Sequence, residues 1–270
     1  MKKYLVIGNP INHSLSPLLH NYWFKQNNIN AVYEKKKLHN DDLKDLFKSI
    51  KAEEINGINV TVPFKKEVIS YLDKLSPEAE RTQSVNTVYL EHNNIVGHNT
   101  DIGGFELAIK EIKYDLRGKK ILILGAGGVV SSIIYALNKM KVSSITLCNR
   151  TKRKAENLKN LFNDLTVLDW GEIPIFDIVI NATSLGLKIN DELNLDFSKI
   201  GKGKLFYDVI YKPKETIFLK TGKNLGNMTE NGKKMFIYQA AQACKIWHGL
   251  QAEINDEAER LREEGLEQEF

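Results

Sequence analysis

The stretch Asn59-Val60-Thr61-Val62-Pro63-Phe64-Lys65 brings two polar side chains and a lysine close together. Alternation along a strand puts Asn59 and Thr61 on one face and Val60 and Val62 on the other. Pro63 reads as the start of a helix, which sets Lys65 in its first turn, where the helix dipole disfavours a cation. A lysine held there, beside two polar strand residues, is placed to bind or protonate an oxygen. The alternative is a surface lysine with its ammonium in water, the ordinary state of this residue type and the reading adopted for Lys66. A second candidate is Asn99-Thr100-Asp101-Ile102-Gly103-Gly104-Phe105. Asp101 could be a helix N-cap and nothing more. Two glycines in a first turn are costly for a helix, however, and point to backbone held close to a ligand. Ser14 and Ser16 follow the first strand, at the edge where parallel α/β sheets bind ligands. Ser16 with Pro17 also reads as an N-cap and first helical position.

A different chemistry is written at Gly125-Ala126-Gly127-Gly128-Val129-Val130. An apolar strand precedes it and a helix follows, the context a dinucleotide-binding fingerprint requires. Gly125 permits the tight turn, and Gly127 lets backbone approach a pyrophosphate seated on the helix N-terminus. Val130 stands at the third position, where Gly or Ala is usual. About 20 residues on, a site for NAD places an acid against the ribose 2′-hydroxyl. This chain instead has Cys148-Asn149-Arg150-Thr151-Lys152-Arg153-Lys154, with four cations and no acid. Cations at a helix start break a local rule. A bound 2′-phosphate resolves the conflict, with Arg150 as its guanidinium partner, so NADP is favoured over NAD. The bland alternative is a solvated basic loop.

The elements that must position these groups alternate. The first hundred residues read as strand, helix, strand, helix, strand, helix and then a hairpin around His92-Asn93-Asn94, with the third helix over 63–72. A second run follows, with strands at 120–124, 144–148, 165–168, 177–181 and 205–209 and helices at 129–139, 152–162 and 235–248. The tail after Ala252 reads as a charged final helix that frays. This pattern is α/β: two domains with mostly parallel sheets carrying helices. The break falls near Thr100–Gly104, giving a domain 1–101, rejoined by helices of 235–270, and a domain 102–234. The 270 residues suit two cores of ordinary size. A formal net charge of +4 is a mild excess that favours small anionic ligands, and no clustered basic face with interleaved aromatics points to nucleic acid. Cys148 and Cys244 have neither zinc-ligand spacing nor a disulfide framework, so no metal is expected and a reducing cytoplasm is. The opening strand is too short for a signal peptide, and no apolar run nears the roughly 20 residues of a membrane span.

Together and in order, these pieces resemble the shikimate dehydrogenases. The matching stretches run from Gly8-Asn9-Pro10 through His13-Ser14-Leu15-Ser16-Pro17, Asn59 to Lys65, Val85-Asn86-Thr87 and Asn99-Thr100-Asp101. They continue through Gly125 to Gly128, Asn149-Arg150-Thr151, Asn181-Ala182-Thr183-Ser184-Leu185-Gly186 and Gln239-Ala240-Ala241 up to Trp247. The resemblance implies reduction of 3-dehydroshikimate to shikimate by NADPH, in the synthesis of aromatic amino-acid precursors. It implies an N-terminal substrate domain and a C-terminal Rossmann NADP-binding domain with a cleft between them, in a monomer or homodimer. Lys65 and Asp101 become the catalytic pair, with the holder of the proton left open. Ser14, Ser16, Asn59, Thr61, Asn86, Tyr211 and Gln239 would hold the substrate. Gly125, Ala126, Gly127, Gly128 and Val129, with Asn149, Arg150, Thr151 and Lys154, would hold the phosphates, and Val209, Gly232 and Met235 would line the nicotinamide.

Four positions depart from the family's usual pattern: Ile102 for Gly, Lys212 for Asn, and Lys233-Lys234 for Leu-Gly before Met235. The last sets two lysines close to the expected nicotinamide pocket. The alternatives are a paralogue that oxidises quinate or a related hydroxy acid, with a different cofactor range, and a non-catalytic ligand sensor on the same scaffold. The sensor has no need of an intact Lys65 and Asp101.

Overall fold

A computed structural model describes residues 1–188 and 191–254. The chain divides into two compact units, one of Met1–Gly104 with the chain from Ile237 onward, the other of Phe105–Phe236. The fraying helix expected after Ala252 falls on residues 255–270, outside the described part.

The first unit is built on a six-stranded sheet. Its strands are β1 (Lys2–Gly8), β2 (Ala31–Lys37), β3 (Gly57–Val60), β4 (Lys74–Leu75), β5 (Thr87–Glu91) and β6 (Asn94–His98), in the order β2-β1-β3-β5-β6-β4. Pairings β1–β2, β1–β3 and β4–β6 are parallel, and β5 runs antiparallel to both neighbours. The central strand β1 is apolar over Tyr4-Leu5-Val6-Ile7 and buried on both faces, as a covered parallel strand must be. The edge strand β2 buries Tyr33 and exposes Glu34 to Lys37, a charged rim that discourages further strand pairing. His92 and Asn93 both take positive φ, the geometry of a two-residue hairpin loop between β5 and β6. Helices α1 (Ser16–Gln26), α2 (Leu43–Lys51) and the short α3 (Pro77–Thr82) belong to this unit. Leu43, Leu46, Phe47 and Ile50 of α2 pack into a core with Leu5, Ile7, Ile58 and Phe64. The helices α4 (Asp101–Glu111) and α8 (Lys233–His248) contribute residues to both units.

Two local expectations fail here. No helix runs over 63–72: residues 62–66 form a turn, followed by a short 3-10 helix at Glu67–Tyr71. The Lys65 carbonyl accepts from the Val85 N–H at 2.8 Å, so it is committed to a distant segment rather than to a helical turn. Lys65 is therefore not in the first turn of a helix of its own segment. Ser16 is the first residue of α1 rather than its cap, and its N–H donates to the Ser14 hydroxyl at 3.4 Å. The elements α3 and β4 were not anticipated, since a six-residue helix and a two-residue strand leave little periodicity to read.

The second unit carries β7 (Lys120–Leu124), α5 (Val130–Lys139), β8 (Ser144–Cys148), α6 (Lys152–Leu158), β9 (Leu165–Leu168), β10 (Ile178–Asn181), β11 (Leu205–Asp208), α7 (Ile217–Asn224) and β12 (Met228–Glu230). All five pairings are parallel, in the order β12-β11-β10-β7-β8-β9. This is the doubly wound dinucleotide-binding order, with its switch point between β7 and β10. The inner strands carry buried apolar runs, 121–124 in β7 and 178–180 in β10, and Phe176, Phe197, Phe206 and Phe218 fill one core of the unit. Sequence patterning did not give α7 or β12.

Two features of the first unit yield measurable consequences. His20 is fully buried, stacked flat on Tyr33 with ring centroids 4.3 Å apart and edge-on to Trp23. Burial, and secondarily the charge of His248, push its pKa from 6.5 down to about 3. The folded value lies below the unfolded one, so His20 holds its stabilising neutral form above pH 6.5, and stability is lost as pH falls towards 3. His20→Phe keeps a stacked ring and removes the titration. Between pH 7 and pH 5 the wild type should lose about 2 kcal/mol more unfolding free energy in urea than the variant, at ~1.4 kcal/mol per pH unit below the unfolded pKa. Equal losses would show that other groups set the acid sensitivity. Helix α8 seats Trp247 against the sheet, its indole N–H donating to the Val88 carbonyl at 3.3 Å. A Cβ at Gly57 would lie 2.7 Å from the indole nitrogen and 3.0 Å from the Tyr4 ring. Gly57→Ala should cost about 1–3 kcal/mol, read as a lower thermal midpoint. An unchanged midpoint would mean that Trp247 is not held this closely.

Candidate active site

Three distant segments converge in the first unit: the turn after β3, the start of β5 and the start of α4. The Lys65 ammonium donates to Asp101 Oδ2 at 2.6 Å, and the two side chains are only 11% and 8% exposed. The other carboxylate oxygen, Oδ1, accepts from Asn86 Nδ2 at 3.0 Å. The amide orientation of Asn86 is set by its environment. Its Oδ1 accepts the Thr100 backbone N–H at 2.7 Å and the Thr87 hydroxyl at 3.1 Å, so its Nδ2 must face Asp101. Asp101 does not cap α4. It is the first helical residue, its N–H donates to Asn99 Oδ1 at 3.1 Å, and its carboxylate turns to Lys65 and Asn86. Gly103 has a packing reason for its missing side chain. A Cβ there would lie within 2.3–2.7 Å of the Gln242 amide, so this glycine makes room for α8 rather than for a ligand. Lys66 is exposed.

A second line of polar groups runs beside the pair. Asn59 Nδ2 donates to the Asn86 carbonyl and to the Thr87 hydroxyl, each at 3.0 Å, which uses both of its protons. Its Oδ1 accepts the buried Tyr33 hydroxyl at 2.7 Å, leaving one lone pair for a further donor. Burial drives the Tyr33 phenol well above its ordinary pKa, opposed by a hydrogen bond with Ser16, so it remains a donor at any working pH. Ser14 Oγ lies 3.3 Å from Ser16 Oγ. Gln239 Oε1 is 3.4 Å from Asn86 Nδ2, which brings α8 to the same group. Thr61 is half-buried at the end of β3, its N–H bonded to the Ile7 carbonyl at 2.9 Å. Lys65, Asp101, Asn59, Asn86 and Gln239 are thus one connected cluster, Ser14 and Ser16 join it through Tyr33, and Tyr211 belongs to the other unit. Tyr33, Thr87 and Thr100 were missed as supports. The signal for Tyr33 was its place as the one aromatic ring of β2, just before the charged run Glu34 to Lys37.

In the second unit, Gly125 takes φ 112° and its N–H donates to the Cys148 carbonyl at 2.8 Å. A Cβ there would lie 2.7 Å from the Ala182 carbonyl oxygen, so only glycine fits where β7 and β10 diverge. Gly127 has nothing nearer than that same oxygen at 3.9 Å, and Gly127 and Gly128 are exposed. Helix α5 begins at Val130 with no side-chain cap on its first turn. Val130 is fully buried, so the fingerprint's third position packs as a core residue. Open glycine backbone at an uncapped helix start fits a pyrophosphate. Arg150, Lys152, Arg153 and Lys154 are all exposed at the end of β8 and in α6. Lys152 pairs with Asp169 at 2.8 Å, while no ion pair holds Arg150, Arg153 or Lys154 among the described residues. Asn149 Nδ2 donates to the Thr151 carbonyl at 2.7 Å, which shapes the turn that presents Arg150. The donor set fits a phosphate beside a ribose and offers no acid for a 2′-hydroxyl.

Val209 and Gly232 touch. A Cβ at Gly232 would lie 2.0 Å from the Val209 carbonyl oxygen, and the Gly232 N–H donates to the Ile210 carbonyl at 3.0 Å. Met235 is buried in α8 and Tyr211 stacks on Phe236 at 4.7 Å. Lys234 does not crowd this region with an unpaired charge: its ammonium is 3.2 Å from Glu111 and 3.9 Å from Glu230. Among the described residues no group of His, Cys, Asp and Glu side chains could hold a metal ion, and no helix is long and apolar enough to cross a membrane.

Comparison with known proteins agrees with this geometry. The family described as the shikimate dehydrogenase substrate binding domain matches residues 6–88, and the family described as shikimate / quinate 5-dehydrogenase matches residues 106–209. A shikimate dehydrogenase (NADP(+)) of Pelagibacter ubique is 55% identical over 260 residues, covering 96% of this chain and 98% of its own. The crystal structure of shikimate dehydrogenase from Aquifex aeolicus aligns with a TM-score of 0.90 at 39% identity, covering 97% of each chain. That of the Thermus thermophilus enzyme in complex with NADP(H) and shikimate aligns with a TM-score of 0.88 at 30% identity, covering 97% of this chain and 99% of that one. With the paired Lys65 and Asp101, the glycine turn and the basic run after β8 all in place, the chain belongs to the shikimate dehydrogenase family.

Proposed function

We propose that this chain reduces 3-dehydroshikimate to shikimate with NADPH, acting in the cytoplasm as a monomer or homodimer. The first unit binds the substrate and carries the proton chemistry, and the second binds NADP. The observation that carries the reading is the nearly buried Lys65–Asp101 pair at 2.6 Å, with Asn86 on its far oxygen. NADPH, when bound, supplies the hydride. Lys65 supplies the proton to the carbonyl oxygen that becomes the hydroxyl, and removes it in the reverse direction. Both Asp101 oxygens accept from N–H donors, so the carboxylate stays an acceptor and the mobile proton rides on Lys65 Nζ. Asp101 aims the ammonium and offsets its charge, and Asn86 fixes Asp101. Ser14, Ser16, Thr61, Tyr211, Gln239 and the remaining lone pair of Asn59 hold the ring carboxylate and hydroxyls. Gly125 to Val129 receive the pyrophosphate, and Asn149, Arg150, Thr151 and Lys154 the 2′-phosphate. Val209, Gly232 and Met235 border the nicotinamide. The two cysteines are free and buried, which suits a reducing compartment.

The direct test mixes purified protein with shikimate or quinate and NADP⁺ or NAD⁺, and follows reduced nicotinamide by absorbance. Rapid reduction with shikimate and NADP⁺ is expected. Silence there, with turnover of another pair, would overturn the reading. Lys65→Ala should cut turnover by orders of magnitude while NADP⁺ still binds, as general acid–base groups contribute roughly 10²–10⁴-fold. Normal turnover would remove Lys65 from the chemistry. Arg150→Ala should weaken NADP⁺ binding by about 1.5–3 kcal/mol, the worth of a charge-assisted contact, with NAD⁺ little changed. Equal losses for both cofactors would sink the 2′-phosphate assignment.

A further inference from the structure

We infer that Asp208 is a positioning residue whose carboxylate ties the segments after β10 and β11 into one rigid edge, fixing Val209 for the nicotinamide. The inference rests on the NADP-binding reading above.

Asp208 ends β11 fully buried, with no ion pair among the described residues. Three donors converge on it. Thr216 Oγ1 donates at 2.6 Å, the Ile210 N–H at 3.0 Å, and Asn181 Nδ2 sits 3.2 Å from each carboxylate oxygen. Asn181, at the end of β10 and also fully buried, carries the tie onward. Its Nδ2 donates to the Leu185 carbonyl at 3.0 Å, and its Oδ1 accepts the Thr183 N–H at 3.1 Å and the Thr183 hydroxyl at 2.8 Å. Thr216 caps α7 by accepting the Leu219 N–H at 3.3 Å while it donates to Asp208. Gly186 packs in the same place: a Cβ there would lie 3.2 Å from Thr216 Cγ2 and 3.3 Å from Ile210 Cδ1. The two loops are therefore joined through one carboxylate, directly beside Val209, whose carbonyl in turn contacts Gly232.

An amide cannot replace this group. With Asn181 Nδ2 equidistant from both oxygens, an NH₂ at either position would face a donor. Burial without a cation pushes the Asp208 carboxyl up to about 6, against the hydrogen bonds from Thr216, Ile210 and Asn181, which pull it down. A side chain kept acidic in so unfavourable a place, at the carboxyl edge of the sheet, suits the holding of loops better than general stability.

The test uses the ligand-free full chain and three variants, Asp208→Asn, Thr216→Val and Thr216→Ser. Hydrogen–deuterium exchange in peptides covering 182–187 and 209–216 should rise several-fold in D208N and T216V, with β7 and β8 unchanged. The Kd for NADP⁺ should rise about tenfold, the size of one lost buried tie. T216S, which keeps the hydroxyl, should recover most of what T216V loses. Unchanged exchange overturns the inference, as does raised exchange with NADP⁺ affinity and kcat intact, or loss of protection across the whole sheet. A wild type that binds no NADP⁺ would fail the proposed function and remove the nicotinamide role, and the exchange result would still judge the tie.

Discussion

An ammonium and a carboxylate held 2.6 Å apart with little access to water are stable only if the rest of each group's bonding is met. That constraint organises the first unit. Asp101 can lie at a buried helix start because Asn86 covers its second oxygen. Asn86 can do so because the Thr100 N–H and the Thr87 hydroxyl hold its carbonyl end. Thr87 is held in turn by Asn59, and Asn59 by Tyr33. The chain of dependence runs from the edge strand β2 across β3 and β5 to α4. Such a network is costly when half satisfied and rigid when complete, and rigidity is what a proton-transfer group needs.

Much of the architecture was legible because its signals are periodic. Alternating strands and helices, the apolar runs of β1, β7 and β10 and the glycine turn at 125–128 each follow from short-range rules. The connecting segment at 63–72 was misread for a physical reason. Pro63 followed by apolar residues at helical spacing is a local signal for a helix, but the Lys65 carbonyl is claimed by Val85, some twenty residues on in the chain. Local preference lost to a tertiary hydrogen bond. The same limit applies to the glycine at 103, whose spacing suggested a ligand and whose neighbour is Gln242. A residue type names a constraint on space without naming what occupies that space.

The polar residues of the candidate site were found by type and order, while their division of labour was not. Ser14, Asn59, Thr61 and Asn86 look alike in a sequence as small hydrogen-bonding side chains. In the fold, Asn86 has its amide fully engaged with protein partners and Asn59 has one lone pair left. Which groups reach outward and which reach inward depends on three-dimensional saturation, and no spacing encodes it. The supporting roles of Tyr33, Thr87 and Thr100 were hard to read for the complementary reason: they hold the site from behind, and residues of those types are common in any fold.

Three departures from the usual patterns, Val130, Ile102 and Lys234, fall where the fold can absorb them. Val130 is wholly inside, so a larger side chain at the third fingerprint position takes a place in the core and leaves the exposed Gly127 and Gly128 backbone alone. Ile102 is buried likewise, one residue beyond the aspartate whose carboxylate remains bonded to Lys65 and Asn86. Lys234 is the departure with the greatest power to disturb a cofactor, because it adds a charge next to Met235. Its ammonium is drawn to Glu111 and Glu230, and Glu230, whose carboxyl burial drives upward, is brought back down in part by that same lysine. The substitution thus carries its own counter-charges on α4 and β12.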